Sequence, residues 1–449
     1  MSAPLRLDAA GRDRAVTFLR ALIAAGGEEA CQRLVADRLR ALGWEVETVP
    51  YRPEDVPMVA EFAGAAVLDA GERRSVLARR PGTGGGRSII FFAHPDGEAH
   101  ANEPAWRHDK FAGTIEAGRV HGWGVADDLA GVAAMVGAAD LLHGAGAELA
   151  GDVVLASTPS KRHARGVSAL LHGGLRADAC VYLHPAESGA GMREIKAMAS
   201  GQLAFRIVVP GQAPPTAEPG HTAFAHLAVN PVDNAVLVCD ALRRLDTARA
   251  ARVRHPALEA AVGRSTNLLV SHVAAGQPNR LNRVPETCTI GATLSFPPPE
   301  TLEAVRAEVE AALAEACAAD PFLRAHPPRV LWDAGVTGAE VAADTPLYRT
   351  VAGVIADIAG ERAEVNALHT SSDIRNPMVQ AGIPTVGLGP LCGDLSQNGG
   401  HDEWVDVADY LRCVEVTGGI MAAWCGGGAA IAWDRLLGNG GTNGGRNGE

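Results

Sequence analysis

Four absences narrow the class of this protein. The eight cysteines include no Cys-x-x-Cys pair, so neither a thiolate zinc site nor a disulfide framework is indicated. No apolar run approaches the ~20 residues that span a bilayer. Positive charge is in deficit, with a formal net charge of −12, which argues against nucleic acid or an anionic membrane as main partner. The first residues lack the apolar core of a secretory signal, so we expect a cytoplasmic protein.

The remaining composition is that of an ordinary globular chain. Its 449 residues, of which 47% are hydrophobic and 20% charged, exceed what one core holds and indicate two or more domains. Apolar strands alternate with helices along the first 200 residues, and the pattern resumes after 335. We therefore predict a doubly wound, mostly parallel α/β domain at 1–200 and 335–435. Its expected strands are 44–49, 63–69, 74–79, 88–93, 152–158, 179–183 and 385–388.

A different pattern occupies the middle of the chain. Residues 203–209 alternate between apolar and polar, as a half-exposed strand does, and a helix, two strands, a second helix and a strand follow. This order is that of a ferredoxin-like module. We predict an inserted α+β domain at 201–334, and a Gly/Asn-rich disordered tail at 436–449.

Two polar stretches follow buried segments. The apolar run at 88–93 ends in His94-Pro-Asp96, at the carboxyl end of its strand, where α/β sheets place their ligands. A second stretch brings Asp127 and Asp128 to the start of an apolar helix. Each alone could be a buried core histidine or a helix-capping aspartate. Because His and Asp bind zinc, and a carboxylate often orients a ligand His, together they predict a metal site.

Several motifs carry a family resemblance that covers nearly the whole chain. They are His94-x-Asp96, Gly122-x-Gly-x-x-Asp127, Ser372-Asp373-Ile-Arg375, Ala381-Gly-Ile-Pro384 with Gly389-Pro390, and His401-x-Glu403. The chain resembles the aminoacylase, acetylornithine deacetylase and glutamate carboxypeptidase family of co-catalytic zinc hydrolases. The resemblance implies two metals bridged by one Asp, a Glu as general base, and an inserted domain that pairs two subunits.

The resemblance also implies roles for the metal-site residues. His94 and His184 would hold the first metal, Asp127 would bridge, and His401 would bind the second. Asp96 would orient His94. His184 ends its strand in Leu-His-Pro, and a simple loop histidine is an equal alternative there.

Further roles concern the substrate and the dimer. His221, or its competitor His226, would reach across a homodimer to the scissile carbonyl. Asn282 and Arg375 match positions that hold the substrate's carboxylate, which suits a fork-shaped guanidinium. The alternative for Arg375 is a structural pair with Asp373.

One departure changes the expected chemistry. Where the family has a Glu-Glu pair, this chain has Lys161 and Arg162, and no Asp or Glu occurs between Asp152 and Asp178. Protonated Lys and Arg offer a metal no lone pair. We therefore expect about one zinc per chain, held by His94, Asp127 and His184. The residues that could replace the missing acids are His163, Glu187 and Glu98.

Three functions stay open on the sequence. The first is hydrolysis of an amide bond in a small carboxylate-bearing substrate, either an N-acyl amino acid or a dipeptide. The second uses Lys161, its pKa lowered by Arg162 and a metal, as base or nucleophile on such a substrate, with Arg162 as a further substrate contact. The third is a catalytically silent dimeric binding protein. We expect no nucleic-acid or membrane partner.

Overall fold

The computed structural model describes residues 5–68, 70–97, 106–184, 186, 188–368, 370, 372–393 and 401–426. The predicted tail at 436–449 and the candidates Glu98 and Glu187 lie outside these residues. The helices are α1 (Ala9–Ala25), α2 (Glu28–Ala41), α3 (Ala130–Gly144), α4 (Gly166–His172), α5 (Pro231–Arg252), α6 (Pro256–Val262), α7 (Leu302–Ala319), α8 (Pro321–Ala325), α9 (Pro346–Ala359), α10 (Arg375–Ala381) and α11 (Val407–Cys425). The strands are β1 (Glu45–Tyr51), β2 (Glu61–Ala63), β3 (Arg73–Arg80), β4 (Ile89–Ala93), β5 (Thr114–Glu116), β6 (Arg119–His121), β7 (Val153–Ser157), β8 (Ala179–Leu183), β9 (Glu194–Lys196), β10 (Met198–Ala199), β11 (Gly201–Pro210), β12 (Asn267–Ala275), β13 (Thr287–Phe296), β14 (Arg329–Val336), β15 (Ala339–Glu340), β16 (Glu364–Asn366), β17 (Thr385–Leu388) and β18 (Trp404–Asp406).

The large sheet confirms the predicted α/β class. It has eight strands in the order β1-β3-β7-β4-β8-β17-β9-β16. The central strands β7, β4, β8 and β17 run parallel, whereas β1, β3 and β7 pair antiparallel. Phe91 packs among α1, α3 and α11 on one face and Phe92 beside α4 on the other. Successive strand residues point to opposite faces, so a run buried on both faces must be apolar throughout.

Small residues let the helices approach this sheet closely. On α3, a side chain at Gly137 would meet Val414 of α11 at 3.1 Å. The two helices thus pack side by side over the sheet, and burial of each large apolar side chain contributes about 1.5–3 kcal/mol. No helix among the described residues is long and apolar enough to cross a membrane.

The middle of the chain forms a second sheet in the order β12-β13-β11-β14-β2. All its pairings are antiparallel, and α5 and α7 pack on one face around Phe205, Ile290 and Val305. The predicted strand at 63–69 is wrong. Of the residues described in that stretch, only Ala63 is in a strand, at the end of β2, which joins β14 of this second sheet. The chain then turns, and Val67 N donates to Gly64 O at 3.0 Å.

The topology brings three polar chain segments to one edge of the large sheet. Strands β7, β4 and β8 are parallel neighbours, so Ser160, His94 and His184 all follow carboxyl ends on the same side. A third sheet, β18-β6-β5, which the sequence did not predict, holds the loop that carries Asp127 against the 401–406 segment.

Candidate functional site

Side chains of alternating charge run from Asp96 through His94 and Asp127 to Lys161. His94 Nε2 donates to Asp127 Oδ1 at 2.9 Å, and His94 Nδ1 donates to the backbone oxygen of Asp96 at 2.9 Å. Burial opposes protonation of His94, but the Asp127 carboxylate raises its pKa well above the usual value. Burial likewise opposes ionisation of Asp96, yet the hydrogen bond from His94 holds its pKa below the ordinary range.

Lys161 completes this group by donating from Nζ to Asp127 Oδ2. Asp96 aims it there, because its carboxylate accepts from the backbone N–H groups of Ser160 at 2.9 Å and Lys161 at 2.8 Å. Against the effect of burial, Lys161 and then His94 hold the pKa of Asp127 far below its usual range. The carboxylate in turn favours the ammonium form of Lys161. This contact works against the expected role of Lys161 as a base.

Two buried acids, Asp128 and Glu403, support the loop at Asp127. Burial raises the pKa of Asp128 well above its usual value, and its Oδ2 accepts from His94 N at 3.2 Å. Burial also raises the pKa of Glu403 to about 8. Glu403 Oε1 accepts from Gly124 N, at a residue whose φ of 68° favours glycine. Glu403, which the sequence motif includes without a role, therefore positions the loop.

His184 lies at the end of β8 next to a lysine that the sequence analysis missed. The Tyr182 ring stacks on His184 with centroids 5.3 Å apart and lies 6.3 Å from the His94 ring. Gly387 permits the close packing, since a Cβ there would lie 3.0 Å from Lys196 Cβ and 3.1 Å from His184 Cδ2. Lys196 is fully buried, with Nζ donating to Thr370. The scarcity of lysine could have drawn attention to it, since Lys110, Lys161 and Lys196 are the chain's three lysines.

The residues at Asp127 do not fit the family's metal centre. Two ligands of a tetrahedral zinc lie roughly 3.4 Å apart, but His94 and Asp127 are joined directly at 2.9 Å, and Lys161 takes the other carboxylate oxygen. Within the described chain, His94, Asp127 and His184 do not bring three donor atoms within 4.8 Å of one another. His401 is exposed, with its ring 6.2 Å from that of Trp106.

Arg375 has a partner that neither sequence alternative named. Its Nη1 donates to Glu61 Oε2 at 2.6 Å, whereas Asp373 accepts from Ser160 Oγ and, at 3.0 Å, from Asn376 Nδ2. Burial opposes ionisation of Glu61, but Arg375 lowers its pKa to about 2. The guanidinium of Arg375 is thus already matched by an internal carboxylate.

His221 and Asn282 lie together in the inserted sheet's loops. Asn282 O accepts from His221 N at 2.7 Å, and Arg283 Nη1 donates to His221 Nε2 at 2.9 Å. Neither His221 nor Asn282 lines the cleft described next, and His226 is exposed. Their expected role across a dimer stays a prediction.

A cleft of about 700 Å³ lies between the two sheets. One wall comes from the segment after β7 and from 372–376, and the other from β11, β12, β13 and β14. Besides His163, its ionisable side chains are the bases Lys161, Arg162, Arg165 and Arg375 and the acids Glu61 and Asp373. Cationic groups therefore outnumber acids, and Arg162, His163 and Arg165 all have positive φ, between 53° and 57°. Such strained backbone concentrates at functional sites.

Solved structures share this architecture. The M20 family metallo-carboxypeptidase of Sulfolobus solfataricus superposes with a TM-score of 0.68 at 14% identity, covering 92% of this chain and 99% of that one. Human carnosine dipeptidase 1 gives a TM-score of 0.64 at 14% identity, covering 92% and 96%. The chain thus has the fold of these two enzymes.

The sequence comparisons establish the family itself. Residues 90–423 match the model of peptidase family M20/M25/M40, and the chain belongs to this family of metal-dependent hydrolases of small amide substrates. A succinyl-diaminopimelate desuccinylase from Methylobacterium radiotolerans is 26% identical over 87% of this chain and 91% of its own length. Another from Alkalilimnicola ehrlichii is 31% identical over 47% of this chain, and the match spans only 51% of that relative.

Proposed function

We propose that the protein hydrolyses the amide bond of a small carboxylate-bearing substrate, an N-acyl amino acid or a dipeptide, in the cleft between its two sheets. Family membership supports amide hydrolysis as the reaction class. The cleft's volume of about 700 Å³ lies in the range of small-molecule sites, roughly 300–1,000 Å³. Its surplus of cationic side chains favours an anionic substrate over a neutral one.

We assign binding of the substrate's carboxylate to Arg162. Arg375, the other candidate, already donates to Glu61 at 2.6 Å, so binding a substrate there would first require this internal contact to be exchanged. Arg162 lies on the cleft wall beside Lys161. Its planar fork suits a bidentate carboxylate.

His163 is the residue to which we assign activation of water. It lines the cleft, and its Nδ1 faces Glu61 Oε1 at 3.5 Å, so a carboxylate orients the ring. Nε2 is then left to accept a proton, as in other base-and-carboxylate pairs. Lys161 does not take this role because Asp127 favours its charged form.

The observation that carries the proposal is the ion pair between Lys161 Nζ and Asp127. This ammonium on the expected bridging carboxylate supports a hydrolysis that does not use the family's two-metal centre. The same observation favours one second candidate, a catalytically silent dimeric protein that binds such substrates without cleaving them.

A homodimer is part of both candidates. β12 is an edge strand of the second sheet, and exposed apolar residues lie on it and on α5, namely Val273, Val232, Val236 and Leu237. Such a patch beside an unpaired strand edge favours pairing with a second copy. His221 and Asn282 would then belong to the partner's cleft.

The test uses the full chain with a panel of N-acetyl and N-succinyl amino acids and dipeptides. Binding is measured calorimetrically, and cleavage by amine release, with and without a chelator. We expect chelator-resistant cleavage that falls by about 10²–10⁴-fold in His163→Asn, while the exposed-site control His172→Asn keeps wild-type rates. Binding without cleavage supports the silent candidate. Cleavage that requires two metal equivalents and is lost in His94→Ala contradicts both.

A further inference from the structure

We propose that His108, Glu116 and His121 form a transition-metal site distinct from the family's metal position. Their donor atoms all lie within 4.8 Å of one another, and no other group of this kind exists among the residues that the structure describes. His108 Nε2 and Glu116 Oε2 are 3.3 Å apart, close to the roughly 3.4 Å between two ligands of a tetrahedral zinc. The rings of His108 and His121 lie with centroids 4.4 Å apart.

The fold orients these side chains before any metal binds. His121 ends β6 and is buried, and its Nδ1 faces the backbone oxygen of Asp402 at 3.3 Å. A ring N–H that donates to a carbonyl leaves Nε2 with its lone pair, which is the usual arrangement of a ligand histidine. Asp402 also holds the neighbouring segment, because its Oδ1 accepts from His108 N at 3.1 Å.

Without a metal, the guanidinium of Arg107 is the positive charge that contacts this cluster. Its Nη2 donates to Glu116 Oε2 and lies 3.1 Å from His108 Nε2. The Arg107 side chain is 67% exposed, so it can turn into solvent when a cation with stronger bonds arrives, since exposed ion pairs are weak. Two imidazoles and one carboxylate with an open position suit Zn²⁺ in particular.

This site shares no residue with the group at Asp127. There the ammonium of Lys161 already meets the carboxylate, whereas the side chain that pairs with Glu116 is the exposed Arg107. Zinc found on the purified chain would therefore lie at the β5–β6 hairpin. It would join the hairpin to residue 108 and act structurally.

The experiment titrates Zn²⁺, and Co²⁺ as a coloured probe, into full-length protein dialysed against a chelator. Calorimetry gives the stoichiometry and affinity, Co²⁺ absorption reports the geometry, and thermal unfolding reports the stabilisation. We expect about one ion per chain. The affinity for Zn²⁺ should fall by more than about 100-fold in His108→Ala and in Glu116→Gln. Loss of a residue that only hydrogen-bonds to a metal ligand usually costs less, about 10- to 100-fold. Arg107→Ala should bind more tightly than the wild type.

Matched controls separate this site from others. His143→Ala and Glu148→Gln change exposed residues of the same types and should bind as the wild type does, as should His94→Ala. Three results would overturn the proposal: no Zn²⁺ binding by wild type and Arg107→Ala, unchanged affinity in both ligand variants, or loss of the ion in His94→Ala alone.

Discussion

Replacement of Lys161 by Met tests how far the ammonium stabilises Asp127. Met keeps the length and apolar stem of the side chain but removes its charge. The Lys161 and Asp127 side chains are 17% and 18% exposed, so both are largely removed from water. Breaking a buried pair costs about 3–5 kcal/mol, because the remaining charge is left uncompensated. Since this pair is partly exposed and His94 still donates to Asp127, we expect a loss near the lower end, about 3 kcal/mol at pH 7.

The pH dependence of this loss follows from Asp127. Lys161 and His94 hold its folded pKa below the ordinary value, so its ionisation contributes stability above about pH 3.9, its unfolded pKa, and this is lost as pH falls through the folded pKa. Without Lys161 the folded pKa rises, and the two proteins should converge in stability as pH falls below about 4. Urea denaturation at pH 7, 5 and 3 measures this difference.

Two further variants control the interpretation. Arg243→Met removes an exposed partner of Asp240 and should change stability by no more than about 0.5 kcal/mol. Adding Asp127→Asn to Lys161→Met removes the carboxylate that has lost its ammonium partner and should recover part of the loss. If Lys161→Met alone stays within about 0.5 kcal/mol of the wild type at pH 7, the ion pair does not organise this site and the reasoning fails.

Three other outcomes follow from the described contacts. Glu61 has a folded pKa of about 2, so its ionisation contributes fully to stability above about pH 4.3, and this contribution is lost as the pH falls towards 2. Glu61→Gln should therefore be less stable than the wild type at pH 7, and its stability in urea titrations should not show this loss at acid pH. Val236→Glu, at an exposed position of α5, should yield monomers in light scattering, whereas Val262→Glu outside that face should not. Arg162→Ala should weaken calorimetric binding of an N-acyl amino acid by about 10-fold or more, against little change for its carboxamide analogue; equal losses for both ligands would remove Arg162 from the carboxylate contact.

The architecture was predictable because its signals are local. Apolar runs such as 88–93 are buried on both faces of the sheet, and the strand and helix order of the inserted module follows from periodicity. The segment at 63–69 failed, since a short strand such as β2 takes its partner from tertiary contacts that no local pattern encodes. The β5–β6 hairpin was missed for the same reason, with three residues in each strand.

The candidate site was predictable only in part. His94, Asp96, Asp127 and Lys161 do lie together, because β4 and β7 end at one edge of the sheet and the third sheet brings Asp127 there, while the roles given to them stay predictions. The partner of Arg375 was not predictable, since Glu61 lies 314 residues away in sequence. Lys161 was expected to face cations, yet its backbone is held by Asp96 and its ammonium points to Asp127. That contact depends on a loop conformation that residue types alone do not determine.

Anomalous diffraction at the zinc edge, from crystals grown with Zn²⁺, tests the central claim most directly. The account predicts no zinc peak between His94 and Asp127, with Lys161 Nζ at hydrogen-bond distance from the Asp127 carboxylate, and a single peak at His108, Glu116 and His121. A zinc peak bound by Asp127, with Lys161 turned away from it, would contradict the account.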